Sequence, residues 1–509
     1  MPEGDIAAAT AQRSEAPAPI AADPKFRMIL AGVMTVMGLA VMDSNIVNTS
    51  LPRITTELGG GSRLTWVVTA FMLTSTIATP LYGKLSDMYG RRRLMLISIV
   101  IFLAGSALCG MAHSMWQLIG FRALQGLGAG GLVPIAQAIV GDVVAPRDRG
   151  RYQGLFTSVF ATASLAGPLV GGALTTFVSW RWVFYVNLPL GSVALFLIMS
   201  SLPASTNTHR RAIDYAGAAL LTVATTALLL VFSLGASSPR LAATLALVVL
   251  AIGGFGVFVW RERHAAEPIL DLALFRRRTF TVGVGATAAM AFAMMAALVL
   301  LPLYLQLVLG RSPFQAAMIV TPQVVGMILS SFLGGRAVTV TGKIKPFLMA
   351  GVLLEAVALW GLFAGAALSL PGWSFSIAAF ALGLGMGMGM PNATVVVQNS
   401  VGPEEMGAAT GALGFIRSLG GAAGVALSGG VVTLVLFRVV NGEHLGLDTR
   451  DVVNEGLRAA ARLTGTQRAG FVGAYRQAIE ASLFICGLVM SGAFALVSSL
   501  PNETLRARA

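Results

Sequence analysis

Apolar stretches of about twenty residues recur along this chain about fourteen times, separated by short charged segments. Wound into a helix, a run of that length matches the hydrocarbon core of a bilayer. In lipid a backbone must satisfy its own N–H and C=O groups, so such runs become helices. The stretches lie near 28–50, 64–83, 94–112, 116–140, 153–177, 182–202, 214–235, 241–260, 280–309, 314–335, 346–368, 373–397, 407–436 and 472–500. Only 11% of the residues are charged and 56% are hydrophobic, whereas a soluble domain carries about 25% charge. These features predict an all-α integral membrane protein with fourteen transmembrane helices.

The net charge of +13 sits in short clusters between the spans, which argues against nucleic acid as a partner. One alternate set of loops holds Lys25, Arg27, Lys84, Arg91, Arg92, Arg93, Arg147, Arg149, Arg151, Arg210, Arg211, Arg261, Arg263, Arg276, Arg277, Arg278, Arg336, Lys343 and Lys345. The other short loops hold only Arg53, Arg63, Arg181, Arg240 and Arg311. The positive-inside rule makes the first set cytoplasmic and places both termini inside. Residues 1–27 read as a disordered cytoplasmic tail, without the basic-then-apolar order of a signal peptide. Residues 501–509 form a second tail. The loop 437–471 is then external, a solvated connector or an outer gate, and 451–463 could form a short surface helix. Cys109 and Cys486 lie in apolar spans and supply neither a disulfide framework nor metal spacing. No His/Cys/acid cluster has ligand spacing, so no metal, no cofactor and no enzyme chemistry is expected.

An internal repeat is visible at a constant spacing of 257 residues. Gly126, Gly128, Gly130, Pro134, Pro146, Gly150, Gly154, Gly167 and Gly172 meet Gly383, Gly385, Gly387, Pro391, Pro403, Gly407, Gly411, Gly424 and Gly429. At a spacing of 252, Gly83-Lys84 and Gly90-Arg91 meet Gly335-Arg336 and Gly342-Lys343. The chain therefore divides into two six-helix halves, 28–202 and 280–500, with two inserted helices in 203–279. Parallel halves with a site between them are a transporter architecture.

Asp43 lies inside the first span, where a carboxylate costs roughly 2.5–3.5 kcal/mol on insertion scales. Its surroundings, Met42-Asp-Ser-Asn-Ile-Val-Asn-Thr-Ser-Leu-Pro52, are polar nearly all round the helix. Arg122 lies in the fourth span, with Gln125 and Gly126 on the same face. An intramembrane Arg should meet a carboxylate, a backbone carbonyl or water. Pro168 removes a hydrogen bond from the fifth span and bends it, and Gly167 and Gly171 offer a close-packing face.

Four segments carry a family resemblance. Gly83-Lys-Leu-Ser-Asp-Met-Tyr-Gly-Arg-Arg-Arg93 resembles motif A of the major facilitator superfamily, with Met88 in place of the usual Arg. Phe121-Arg-Ala-Leu-Gln-Gly-Leu-Gly-Ala-Gly130 resembles motif B. Ala163-Ser-Leu-Ala-Gly-Pro-Leu-Val-Gly-Gly172 resembles motif C, the antiporter signature, with Ala163 at its first Gly. Met42 to Pro52 resembles motif D1 of the fourteen-helix drug:proton antiporters, the EmrB/QacA-like branch, with Asn45 in place of Thr. The resemblance implies the major facilitator fold and export by antiport. It assigns proton coupling to Asp43 and Arg122, and gating or structural roles to Gly83, Asp87, Gly90, Arg91, Arg92, Gly167, Pro168 and Gly171.

Other polar residues are candidates from position. Glu355 sits deep in a span, either as a second proton-coupling group, a contact for cationic substrate, or a buried structural partner. Arg417 is expected to make a structural or coupling pair, and Asp142 to anchor the Arg147/Arg149 loop. Asn45, Asn48, Met294, Tyr304, Gln306 and Asn392 are candidate substrate contacts. The basic Pro146-Arg-Asp-Arg-Gly150 corresponds to the acidic Pro403-Glu-Glu-Met-Gly407. Glu404 or Glu405 is therefore expected to pair with Arg91–Arg93 as a latch between the halves.

The expected activity is proton-coupled efflux of amphipathic or cationic drugs by alternating access, driven by the proton gradient. A functional monomer in the bacterial cytoplasmic membrane is expected. The alternatives are a dedicated exporter of a lipid, glycolipid, siderophore or amino acid and, in another class, a membrane receptor without transport.

Overall fold

A computed structural model describes residues 24–59, 63–203, 214–234, 241–442 and 465–501. Residues 1–23, 502–509 and most of the loop 437–471, including the segment 451–463, lie outside the described residues; residues 24–27, expected in the disordered tail, are instead the first turn of a helix.

Among the described residues fourteen long helices follow one another. The first half comprises α1 (Pro24–Leu58), α2 (Leu64–Tyr89), α3 (Arg91–Gly110), α4 (Met115–Val143), α5 (Arg149–Phe177) and α6 (Trp182–Ser201). The insert is α7 (Tyr215–Leu234) and α8 (Leu241–His264). The second half comprises α9 (Arg278–Leu303), α10 (Pro313–Thr341), α11 (Lys345–Ala367), α12 (Gly372–Asn399), α13 (Met406–Gly442) and α14 (Gly465–Ser498). Among the described residues twelve helices are long and apolar enough to cross a bilayer. α2 (26 residues) and α7 (20 residues) complete the set of fourteen.

Several ends follow from local chemistry. Ser114 caps α4 by accepting the Gln117 N–H. Ser312 and Gln315 form a reciprocal capping box at the start of α10, with Pro313 in the first turn. The segment 83–93 is not the open loop that its basic residues suggest. α2 continues to Tyr89, and α3 begins at Arg91. The reversal rests on Gly90 alone, whose φ of 91° is strained for any residue with a Cβ. α9 runs on into a π-helical turn, Tyr304–Val308, just beyond Pro302. α13 and α14 extend further toward the long loop than their apolar runs indicate.

Within each half the packing repeats. α1 packs on α5 and α6, α2 on α4, and α3 on α4 and α6; α9 packs on α13 and α14, α10 on α12, and α11 on α12 and α14. The halves meet along two seams, α2 with α13 and α5 with α10. These seams exchange the second and fifth helices of the two halves, as a pseudo-two-fold axis requires. Repeat-matched glycines close them. Gly83 lies against Gly407 and Gly411, and its counterpart Gly335 lies against Gly150. A Cβ on Gly83 or on Gly335 would run into backbone atoms of the facing helix. The inserted α7–α8 pair stands outside the α2/α13 seam, where Leu221 and Phe258 pack with Phe415.

Candidate functional site

Asp43 and Arg122 meet inside the first half. Arg122 Nη1 donates to Asp43 Oδ2 at 2.7 Å and to Gln125 Oε1 at 2.6 Å. Asp43 Oδ1 accepts from Gln125 Nε2 at 2.8 Å and from Asn187 Nδ2 at 2.6 Å. Ser106 Oγ accepts from the same two amides. The Cys109 thiol lies 3.7 Å from Gln125 Oε1. Arg122 also stacks 4.0 Å above the Phe71 ring, and its Nε points at the Val67 carbonyl, 3.5 Å away. Five helices therefore converge on one buried ion pair: α1, α2, α3, α4 and α6.

The close approach is built into the chain. Gly105 lies against the backbone of Gln125, and Gly126 against that of Phe71, so α3 and α2 come near enough to α4 to reach Arg122. Asp43 is fully sealed and Arg122 is 2% exposed. Burying two charges costs more than their attraction alone returns unless further hydrogen bonds satisfy them. Gln125, Asn187 and Ser106 provide those bonds. Ser106 and Asn187 were not distinguishable in the sequence from any other polar residue in an apolar span.

The repeat carries none of this polarity. Positions 379 and 382, which match Arg122 and Gln125 at the spacing of 257, are Ala and Leu in the apolar core of the second half. The second half's acid is instead Glu355 on α11. It is fully buried against Gly385 and Gly389 of α12, and neither carboxylate oxygen has a hydrogen-bond partner.

At one end of the molecule the halves are locked together. Asp87 accepts the N–H groups of Gly407 (2.9 Å) and Ala408 (2.6 Å) at the start of α13. Negative charge at a helix N-terminus is favourable, and the bonds are charge-assisted. Arg91 holds that carboxylate at 2.5 Å and also binds Asp142 at 2.9 Å. Across the second seam Arg147 donates to the carbonyls of Thr339 and Val340 at the end of α10. Arg149 donates to Asn399 Oδ1 and the Gln398 carbonyl at the end of α12. Gln398 Nε2 reaches the Gln137 carbonyl at 2.9 Å.

Several expectations are corrected by this geometry. Glu405 pairs with Arg277 at 2.7 Å, not with Arg91–Arg93. Arg91 is already occupied by two nearer carboxylates, Arg92 donates to the Met199 carbonyl, and Glu404 reaches none of them. The latch exists, but Asp87 and backbone amides make it. Asp142 serves Arg91, while Arg147 and Arg149 cross to the second half. Arg417 has no hydrogen-bond or ion-pair partner among the described residues.

Of the proposed substrate contacts, Tyr304 is core. Its ring stacks on Phe375 with centroids 5.0 Å apart, and its hydroxyl points to the Ala366 carbonyl. Asn392 is also buried and donates to the Met388 carbonyl. Asn45, Met294 and Gln306 are half-buried, and Asn48 is exposed. Gly167 and Gly171 pack against Asn45 and Thr49, which explains the small residues around Pro168 as a seat for α1.

The site is thus a buried ion pair in one half of a duplicated helical bundle, with the two halves held together at one end. The family model of the Major Facilitator Superfamily matches residues 33–425, and the chain belongs to that superfamily. It is similar to the multidrug transporter protein MdtP of Bacillus subtilis (strain 168), 35% identical over 412 residues, covering 80% of this chain and 75% of that one. It is 32% identical over 425 residues to multidrug resistance protein 3 of the same organism, covering 83% and 82%. Among solved structures, the proton:xylose symporter XylE aligns with a TM-score of 0.61 at 14% identity, covering 94% of this chain and 97% of that chain. The chain is a transporter and not an enzyme.

Proposed function

We propose that the protein exports amphipathic, drug-like compounds in exchange for protons across a bacterial inner membrane. The observation that carries this reading is the sealed Asp43–Arg122 pair. Similarity to two multidrug transporters supports the substrate class. With the basic loops taken as cytoplasmic, the joined end of the halves is the inner one, and the cycle is written from an outward-facing state.

Coupling runs through α2. While Asp43 is charged it holds Arg122. A proton on Asp43 cancels the attraction and leaves the guanidinium to seek new partners. Arg122 contacts α2 at Val67 and Phe71, and the far end of the same helix carries Asp87 on α13. The sixteen helical steps from Phe71 to Asp87 span about 24 Å of continuous helix. A shift of α2 at the ion pair is thus delivered to the cytoplasmic lock. The lock opens, the proton leaves inward, substrate binds between the halves, and the return stroke carries it out.

Proteoliposomes with an imposed proton gradient test this. Asp43→Asn should lose gradient-driven efflux. Full gradient-driven efflux by Asp43→Asn would refute the coupling role.

A further inference from the structure

Arg417 lies on the face of α13 that, at Met406, packs on the first half. Met406, Thr410 and Arg417 share one face of α13. Met406 is 1% exposed and packs on Gly141 of α4, and Thr410 is fully buried. Arg417 lies eleven residues beyond Met406, about 16 Å along the helix, and is only half-buried. The opposite side of α13, at Phe415 and Leu419, packs on the inserted helices. α4 shows the same gradient. Gly141, Pro134 and Leu127 recur every seven residues along one face; the first two are buried and Leu127 is 42% exposed. The two helices touch at Met406 and Gly141. Further along the same faces Leu127 is exposed and Arg417 partly so, which places a gap between the halves at that level.

The charge of that gap is set by what it excludes. The other charges deep in the spans are Asp43, Arg122 and Glu355, all sealed from solvent. Arg476 and Glu480 pair with each other beside the end of α11. Arg417 has accessible surface and no counter-charge. An arginine at membrane depth is tolerated where it meets water or an anion, and its planar fork suits a carboxylate. Around it α13 continues as Ser418, Leu419, Gly420 and Gly421, and Leu127 offers an apolar surface across the gap.

We infer that Arg417 is the recognition group for an amphipathic acid, whose carboxylate binds the guanidinium while its apolar body lies against the first half at Leu127. This narrows the proposed substrate class from amphipathic compounds in general to those bearing an anionic group. It rests on the transport reading only in taking the gap as the substrate path.

Binding to the purified full-length protein in nanodiscs tests the inference, with dansyl-labelled undecanoate and its methyl ester as probes. The wild type should bind the acid at least about tenfold more tightly than the ester. Arg417→Gln should erase that preference while keeping ester affinity, and Arg417→Lys should keep part of it. Equal affinities in the wild type, no binding of either probe, or an undiminished preference in Arg417→Gln would overturn the site. Should Arg417→Gln bind neither probe, Arg417→Lys decides: a reduced preference supports the site and an unchanged one overturns it. Wild-type protein that shows the preference but never moves the acid under a proton gradient would refute the transport reading and leave the site standing.

Discussion

Asp43 uses its two oxygens differently. Oδ2 takes the guanidinium of Arg122, and Oδ1 takes the amides of Gln125 and Asn187. Removing Arg122 leaves a sealed carboxylate with neutral donors only. Arg122→Ala should cost about 3–5 kcal/mol of stability, read as a large fall in the midpoint of thermal unfolding in detergent. An unchanged midpoint would contradict the burial of the pair. Glu355 should behave in the opposite way. Its carboxyl is buried without a partner, so Glu355→Met removes an unsatisfied polar group and should raise stability by about 1 kcal/mol. A loss of stability would show a partner for Glu355. Asp43, Arg122 and Gln125 were legible because charge in an apolar span is costly and i, i+3 spacing puts the last two on one face. Ser106 and Asn187 were not, because a lone Ser or Asn costs a span little and only tertiary packing brings them to Asp43. Tyr304 misled for the reverse reason. A tyrosine near the end of an apolar span reads as a binding residue by position, yet its ring fills the second-half core beside Phe375.

α2 carries Asp87 near one end and meets Arg122 at Val67 and Phe71 toward the other. Its lock on α13 needs both the Asp87 carboxylate and the bare backbone at Gly83. Gly83→Val should force the α2/α13 seam apart, and Asp87→Asn should weaken it by about 1–3 kcal/mol through the loss of two charge-assisted bonds. Both are read by maleimide labelling of Thr410→Cys, which lies buried just inside the seam. Each variant should raise the labelling rate several-fold, and unchanged labelling would exclude this seam as the lock. At this scale the sequence was informative about where helices lie and less so about where they stop. Basic residues made 83–93 look like a loop, whereas helical hydrogen bonding persists to Tyr89 and turns on Gly90 alone. The acidic 403–407 segment looked like the partner of Arg91–Arg93. Charge complementarity along the chain gave no sign that Asp87, Asp142 and Arg277 would satisfy these groups first.

The whole molecule is a duplicated scaffold with an unduplicated function. The glycine spacing of 257 residues anticipated the halves, and the structure supplies its physical cause: the matched Gly150 and Gly407 close equivalent seams. The polar cluster was not duplicated with them, so the proposed coupling rests on the first half alone. The proposed cycle then requires protonation of Asp43 to open the cytoplasmic end. The direct measurement is the distance between spin labels placed across that end, on α5 and α10, followed as a function of pH in nanodiscs. In the wild type, acidification should shift the distribution toward longer, open distances. Asp43→Asn, a neutral stand-in for the protonated acid, should be open at every pH. A wild-type distribution insensitive to pH, or an Asp43→Asn protein that still responds to pH as the wild type does, would contradict the account.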